Sequence, residues 1–283
     1  MLVAVVFDSA GTLLRTYRVA RDVLRGEMLT GVETTTLTFG AEARVLVVLH
    51  LHSRDVMDAP GDQLLSEFLS ERSIGFGVAC SRRVIPAQAV AHVLYSDKNA
   101  RVSDLQACIR KVWSCCKRES IITMNSGVIL NMDLPGIEFT VTTGGRPFDG
   151  AREAISELHR MGVPVYIASG DRLEKLERMG DHLGIPRERI YGVATPSMKA
   201  RIVEELKSQY DRVVMVGDAI NDLNAFQKAD LAVLTEQQSD RKPDILYATV
   251  DRVIRNVSAV PGIVAELLSG APATGKKVQQ YKP

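Results

Sequence analysis

The chain has 283 residues, enough for two modest domains, and its 46 % hydrophobic and 24 % charged content is ordinary for a globular protein. A net charge of +1 makes no electrostatic case for nucleic acid or an anionic membrane as partner, and no apolar stretch approaches the roughly 18–20 residues of a membrane span. The first residues lack the charged start and cleavage site of a signal peptide. The four cysteines (Cys80, Cys108, Cys115 and Cys116) form no CxxC pair, so reduced thiols and a cytoplasmic protein are expected.

In chain order, Leu2-Val3-Ala4-Val5-Val6-Phe7 is a continuous apolar run, the pattern of a strand buried on both faces. It ends at Asp8 and is followed by Ser9-Ala10-Gly11-Thr12. A carboxylate at the carboxyl end of such a strand stands where open α/β sheets bind ligands, and it suits a nucleophile or a magnesium ligand. The next chemistry-bearing segment is Ser169, a gap too long for a loop, so an inserted domain is expected at 21–140. Within it the patterns predict a strand over 43–52 and helices over 61–72 and 102–116. A hairpin is expected between 127–130 and 137–141 around Asp133-Leu134-Pro135-Gly136, making the insert α+β.

Core structure is expected to resume near Phe148. A helix over 151–161 stops at Gly162, and a strand over 163–168 ends in Ser169-Gly170-Asp171. A helix over 171–183, a short strand over 190–193 and a helix over 198–208 carrying Lys199 follow. The strand over 212–217 ends in Gly217-Asp218, with Asp222 four positions on, before a helix over 221–227 and a strand over 230–234. This alternation predicts a doubly wound parallel sheet with helices on both faces, in an α/β core made of 1–20 and 141–269. Residues 270–283 carry little to bury and predict a disordered tail.

Each motif has an ordinary explanation when taken alone. Ser169-Gly170-Asp171 is common turn chemistry, Lys199 is one of 35 Lys and Arg, and Asp222 suits a helix start. Asp218 and Asp222 beside one strand end are the strongest pair, because Mg²⁺ takes one or two protein carboxylates and keeps several waters.

Taken together, Asp8-Ser9-Ala10-Gly11-Thr12, Ser169, Lys199 and Gly217-Asp218-Ala219-Ile220-Asn221-Asp222 resemble the four motifs of the haloacid dehalogenase superfamily, in its order. Over residues 1–20 and 141–235 the closest resemblance is to soluble P-type-ATPase-like phosphatases and the phosphorylation domain of P-type ATPases. The resemblance implies an Asp8 nucleophile forming an aspartyl-phosphate. It implies Mg²⁺ held by Asp8, the Ala10 backbone C=O and Asp218, with Asp222 as ligand or one step removed. Ser169, Gly170, Lys199 and Asn221 would hold the phosphoryl group, with Lys199 also orienting Asp8. The expected function is hydrolysis of a small phosphorylated metabolite, with no nucleic acid or membrane partner; oligomeric state leaves no signal in the sequence.

One departure stands out. Phosphatases of this superfamily usually carry an acid–base aspartate two positions after the nucleophile, where this chain has Ala10. General acid–base help is typically worth ~10²–10⁴-fold, so slow turnover on substrates with good leaving groups is expected. Phosphonoacetaldehyde hydrolases also have alanine there but need a Schiff-base lysine, for which Lys98 is the candidate. A non-catalytic phosphate-binding regulatory module is the third reading. Other features have plain accounts. His50 and His52 read as half-buried strand residues, Arg82-Arg83 and Lys117-Arg118 as solvated charge, and Trp113 as core.

Overall fold

A computed structural model describes residues 1–115, 121–134, 136–238 and 242–270. Pro135, Cys116, Lys117-Arg118 and the tail from 271 lie outside the described residues, and with them the predicted hairpin turn's proline and the predicted disordered tail.

The chain opens with β1 (Val3–Phe7), β2 (Leu14–Asp22), β3 (Met28–Thr30), α1 (Thr34–Phe39), β4 (Arg44–Leu49), α2 (Ser53–Met57) and α3 (Leu65–Glu71). It continues through β5 (Phe76–Ser81), α4 (Ala87–Ser96), α5 (Val102–Cys115), β6 (Thr123–Asn131), β7 (Gly136–Pro147), α6 (Ala151–Arg160), β8 (Val165–Ala168) and α7 (Leu173–Leu183). It closes with β9 (Ile190–Tyr191), α8 (Pro196–Leu206), β10 (Arg212–Gly217), α9 (Leu223–Lys228), β11 (Leu231–Thr235), α10 (Asp244–Thr249), β12 (Arg252–Ile254) and α11 (Val260–Leu268).

Two compact units result. One joins Met1–Thr16 to the chain from Arg146 onward; the other is Tyr17–Gly145. The division falls at 16/17 and 145/146, not at 20/21 and 140/141. The reason is that β2 and β7 are neighbours in one sheet, and β7 stays paired with β6 as far as Gly145.

The first unit is built on a six-stranded parallel sheet in the order β12-β11-β10-β1-β8-β9. All five residues of β1 are buried, as a strand covered on both faces requires. Alternate side chains serve opposite layers. Ala4, Val6, Val213 and Met215 pack with Ile202, Val203 and Phe226 from α8 and α9. Val5, Phe7, Val214 and Val216 are buried too, and α6 packs beside β8 and touches both α7 and α11. From β1 the chain builds outward through β8 and β9, then returns to the other side of β1 to build β10, β11 and β12. That reversal puts the sheet's switch point between β1 and β10, and a doubly wound sheet binds its ligand at the carboxyl ends of such strands.

The second unit is a mixed α+β body on a sheet in the order β3-β2-β7-β6-β4-β5, antiparallel where its register is defined. Val45, Val47 and Leu49 face a core shared with Phe68, Leu94 and Leu105, while Leu46 faces the opposite side with Ile129 and Phe139. His50 and His52 lie beyond the end of β4 and are exposed, because the strand stops at Leu49. Among the described residues no helix is long and apolar enough to cross a membrane.

Candidate active site

Asp8 follows the last residue of β1, and its backbone N–H still donates to Val216 O at 2.9 Å. The strand therefore fixes the start of the loop that follows. Within the loop, the backbone N–H groups of Leu13 and Leu14 both donate to Ser9 O, and Gly11 N–H donates to Leu14 O. Gly11 has φ +85°, a left-handed conformation that glycine adopts without strain. A Cβ there would lie within 2.8 Å of Asp218 Cγ and both its carboxylate oxygens. Glycine is what lets the Asp8 loop and Asp218 meet. Two glutamines hold the far end of the loop. Gln237 donates to Thr12 O, and Gln238 bonds both the backbone N–H (2.9 Å) and C=O (3.2 Å) of Thr16.

Lys199 owes its place to a well-marked helix start. Thr195 is the N-cap, its hydroxyl accepting from Met198 N–H at 3.3 Å, and Pro196 occupies the first turn of α8. The helix begins at Pro196, two residues before the predicted start. Lys199 is 1 % exposed, and its ammonium donates to Asp8 Oδ1 at 2.5 Å and Asp222 Oδ1 at 2.7 Å. A lysine that taken alone reads as solvated surface is thus among the most enclosed side chains of the unit.

Asp218 and Asp222 come from the end of β10. The predicted helix over 221–227 is a 3-10 turn over Ile220–Asp222 followed by α9. The turn folds Asp222 back, so that its Oδ2 accepts from the N–H groups of Asp218 (3.1 Å) and Ala219 (3.2 Å). Gly217 makes room, since a Cβ there would lie within 2.9 Å of the Asp222 side chain.

Each of Asp8, Asp218 and Asp222 offers an oxygen within 4.8 Å of the others, and all three are buried. Burial, then the charge of Asp222, pushes the Asp8 carboxyl well above its ordinary value, and Lys199 only partly offsets this. Burial raises Asp218 as well, with Lys242 the chief opposing influence. Burial works against the Lys199 ammonium, but Asp8 and Asp222 outweigh it and hold that group above its usual value. The cluster is short of positive charge and offers hard oxygen donors within a few ångströms, the donor set that Mg²⁺ takes.

The remaining residues singled out in the sequence lie nearby in the fold but outside this network. Ser169 is buried at the carboxyl end of β8, beside β1, with its hydroxyl accepting from Asp171 N–H at 3.3 Å. Gly170 is exposed, Ala10 is half-buried, and Asn221 is exposed on the 3-10 turn. Among the described residues, the hydrogen bonds around Lys199 include none of these four.

Two features escaped the sequence reading. The Asp171 carboxylate meets Lys175 at 2.8 Å and lies 3.5 Å from the Ser9 hydroxyl. The (i, i+4) spacing of Asp171 and Lys175 was the available signal. Lys242 is buried, with its ammonium 2.8 Å from Asp218 Oδ2. No strand end, cap or spacing marks it in the sequence.

A family model for haloacid dehalogenase-like hydrolases matches residues 2–230. The chain belongs to the haloacid dehalogenase-like hydrolase family. This hydrolase is 29 % identical over 272 residues to a soluble P-type ATPase-like phosphatase of Methanocaldococcus jannaschii, covering 95 % of this chain and 96 % of that one. It is 31 % identical over 132 residues to a probable copper-importing P-type ATPase A of Enterococcus hirae, covering 47 % of this chain but 17 % of the ATPase. A solved zinc-transporting PIB-type ATPase also matches, with 17 % identity and a TM-score of 0.44 over 93 % of this chain and 40 % of that one.

Proposed function

We propose that this haloacid dehalogenase-like hydrolase is a Mg²⁺-dependent phosphohydrolase acting through an aspartyl-phosphate on a small phosphorylated metabolite. The observation that carries this reading is the contact of one buried ammonium, Lys199, with Asp8 and Asp222 in a cluster that also holds Asp218. The phosphatase name of the relative that matches along nearly its whole length supports it.

Lys199 engages Asp8 Oδ1, which leaves Oδ2 to attack phosphorus. The new Oδ2–P bond forms as the bond to the leaving oxygen breaks, and that oxygen takes the electron pair. Water then attacks phosphorus, the Oδ2–P bond breaks, and inorganic phosphate leaves with the carboxylate restored. Lys199 holds the attacking group in place and offsets charge at both stages, which is most of what phosphoryl transfer asks of a protein. Ser169, Gly170 and Asn221 would bind phosphoryl oxygens. Asp8, the Ala10 carbonyl and Asp218 would hold the metal. Asp222 would act one step behind, since its oxygens already serve Lys199 and two backbone N–H groups. When bound, Mg²⁺ supplies positive charge for the phosphoryl oxygens.

Ala10 has no proton to give the leaving oxygen. The reading therefore favours leaving groups stable as anions, as in an acyl phosphate, an aryl phosphate or a nucleotide, and slow turnover elsewhere. Lys98 is exposed in the turn between α4 and α5, so nothing favours it as a Schiff-base lysine. A reducing, cytoplasmic setting suits the unpaired thiols of Cys80, Cys108 and Cys115.

The test is phosphate release across a panel of phosphorylated metabolites with Mg²⁺ or EDTA, with Asp8→Asn as control. Release that needs both Mg²⁺ and Asp8 is expected. Activity surviving Asp8→Asn overturns the mechanism, and silence across the panel with measurable Mg²⁺ and phosphate binding favours a regulatory module.

A further inference from the structure

The charges of the site are divided between two lysines. Lys199 is shared by Asp8 and Asp222, so Asp218 depends on Lys242 for its counter-charge. Lys242 is 8 % exposed, close to the burial of Asp218 itself at 7 %. Its backbone is held as well. Lys242 N–H donates to the Tyr247 hydroxyl at 3.2 Å, and that hydroxyl donates to Glu236, the residue after β11. Lys242 leads through Pro243 into α10, whose Leu246 belongs to the core beneath the sheet. A positive charge on this segment thus rests on a carboxylate oxygen that a metal would need.

We infer that Lys242 is an internal counter-cation that a divalent metal displaces from Asp218, so that metal binding and the seating of the segment leading into α10 oppose each other. The inference rests on the reading of Asp8 and Asp218 as metal-holding groups. Its physical basis is competition for one site. Asp218 Oδ2 already accepts the Lys242 ammonium at 2.8 Å, and a dication coordinated by the same carboxylate would stand within a few ångströms of that ammonium and repel it. Buried charges are weakly screened, so each cation lowers the other's hold. Linkage makes the effect reciprocal: what Lys242 subtracts from metal affinity, metal subtracts from the seating of Lys242. Lys242 acts here through Asp218 and is a positioning residue.

The test uses the full chain with Mg²⁺ as the only ligand. In Lys242→Met, calorimetry is expected to show Mg²⁺ binding about fivefold or more tighter than in wild type. Thermal unfolding in EDTA is expected at a lower temperature, because buried Asp218 has lost its partner, and saturating Mg²⁺ closes most of that gap. Lys242→Arg keeps the charge and should stay near wild type in both readouts. Hydrogen exchange on the wild type needs no variant: amides from Lys242 through α10 should exchange faster with Mg²⁺ than with EDTA. Equal loss of thermal stability in EDTA and in Mg²⁺, with unchanged or weaker Mg²⁺ affinity, would make Lys242 merely structural and overturn the inference. So would unchanged or slower exchange across α10. A wild type that binds no Mg²⁺ would sink the metal reading itself, a different outcome from a wild type that binds Mg²⁺ with no change in Lys242→Met.

Discussion

Replacing Gly11 by alanine tests whether Asp218 must sit against the Asp8 loop. Gly11 has φ +85°, and an L-residue held in that left-handed region costs roughly 1–2 kcal/mol. The new Cβ would also stand within 2.8 Å of three Asp218 side-chain atoms, where ordinary contact begins at 3.4 Å. Either the loop or the carboxylate must move by on the order of 1 Å to restore normal contact. Misplacement of that size at a positioned group can cost ~100-fold in rate.

Gly162 supplies the matched control. It follows α6 with φ +71°, and a Cβ there would meet nothing within 4 Å, so Gly162→Ala carries the backbone cost without the collision. Each variant should lose roughly 2–8 °C of thermal stability from the backbone alone. The assays are thermal unfolding, initial rates of p-nitrophenyl phosphate hydrolysis over a Mg²⁺ titration, and Mg²⁺ affinity by calorimetry, which needs no substrate. Gly11→Ala is expected to lose about 100-fold in rate and to bind Mg²⁺ more weakly. Gly162→Ala should keep both properties within about twofold, since its Cβ points into open space. If Gly11→Ala retained wild-type rate and Mg²⁺ affinity while losing only the stability that Gly162→Ala loses, close approach of Asp218 to this loop would be irrelevant to the site.

Two more predictions concern charge. Ala10→Asp supplies a proton donor two positions after Asp8 and should raise phosphate release at least about tenfold, most for substrates with poor leaving groups; an active enzyme with no gain would show that position 10 does not face the leaving oxygen. Asp8→Asn should raise the unfolding temperature in EDTA at neutral pH, because it removes a carboxyl that burial and Asp222 hold well above its ordinary value. The sign follows from linkage. Ionised Asp8 costs stability above its raised folded-state value, and the cost vanishes below the ordinary value of 3.8, so the advantage of asparagine should shrink as the solution is acidified. Unfolding temperatures in EDTA that are equal at neutral pH, or diverge toward acid, would contradict this account.

What could be read in the sequence follows from how each residue is constrained. β1 and β10 are buried on both faces except for exposed Arg212, so they appear as apolar runs that need no period, and the polar residue that breaks each run marks the sheet's carboxyl edge. β2 escaped detection for the opposite reason. Its burial alternates over Leu14, Arg15 and Thr16, then Val19 and Ala20 are buried side by side, so no period survives where the strand passes from one unit to the other. α4 has buried Val90, Val93 and Leu94 at helical spacing, but it starts after Pro86 with no side-chain cap to announce it. Lys199 stood out in the sequence only through its place in the family's motif order, since alone it is one lysine among many, while Thr195 and Pro196 fix the helix that carries it in the fold. Lys242 shares no such device with Asp218, 24 residues before it. A nucleophile is tied to the strand that delivers it and so leaves a local mark. A counter-cation is defined only by where its charge arrives, and any residue of the right reach could have supplied that charge. Its identity is therefore a property of the folded chain, and a second lysine in an acidic cluster is the kind of group that motif reading passes over.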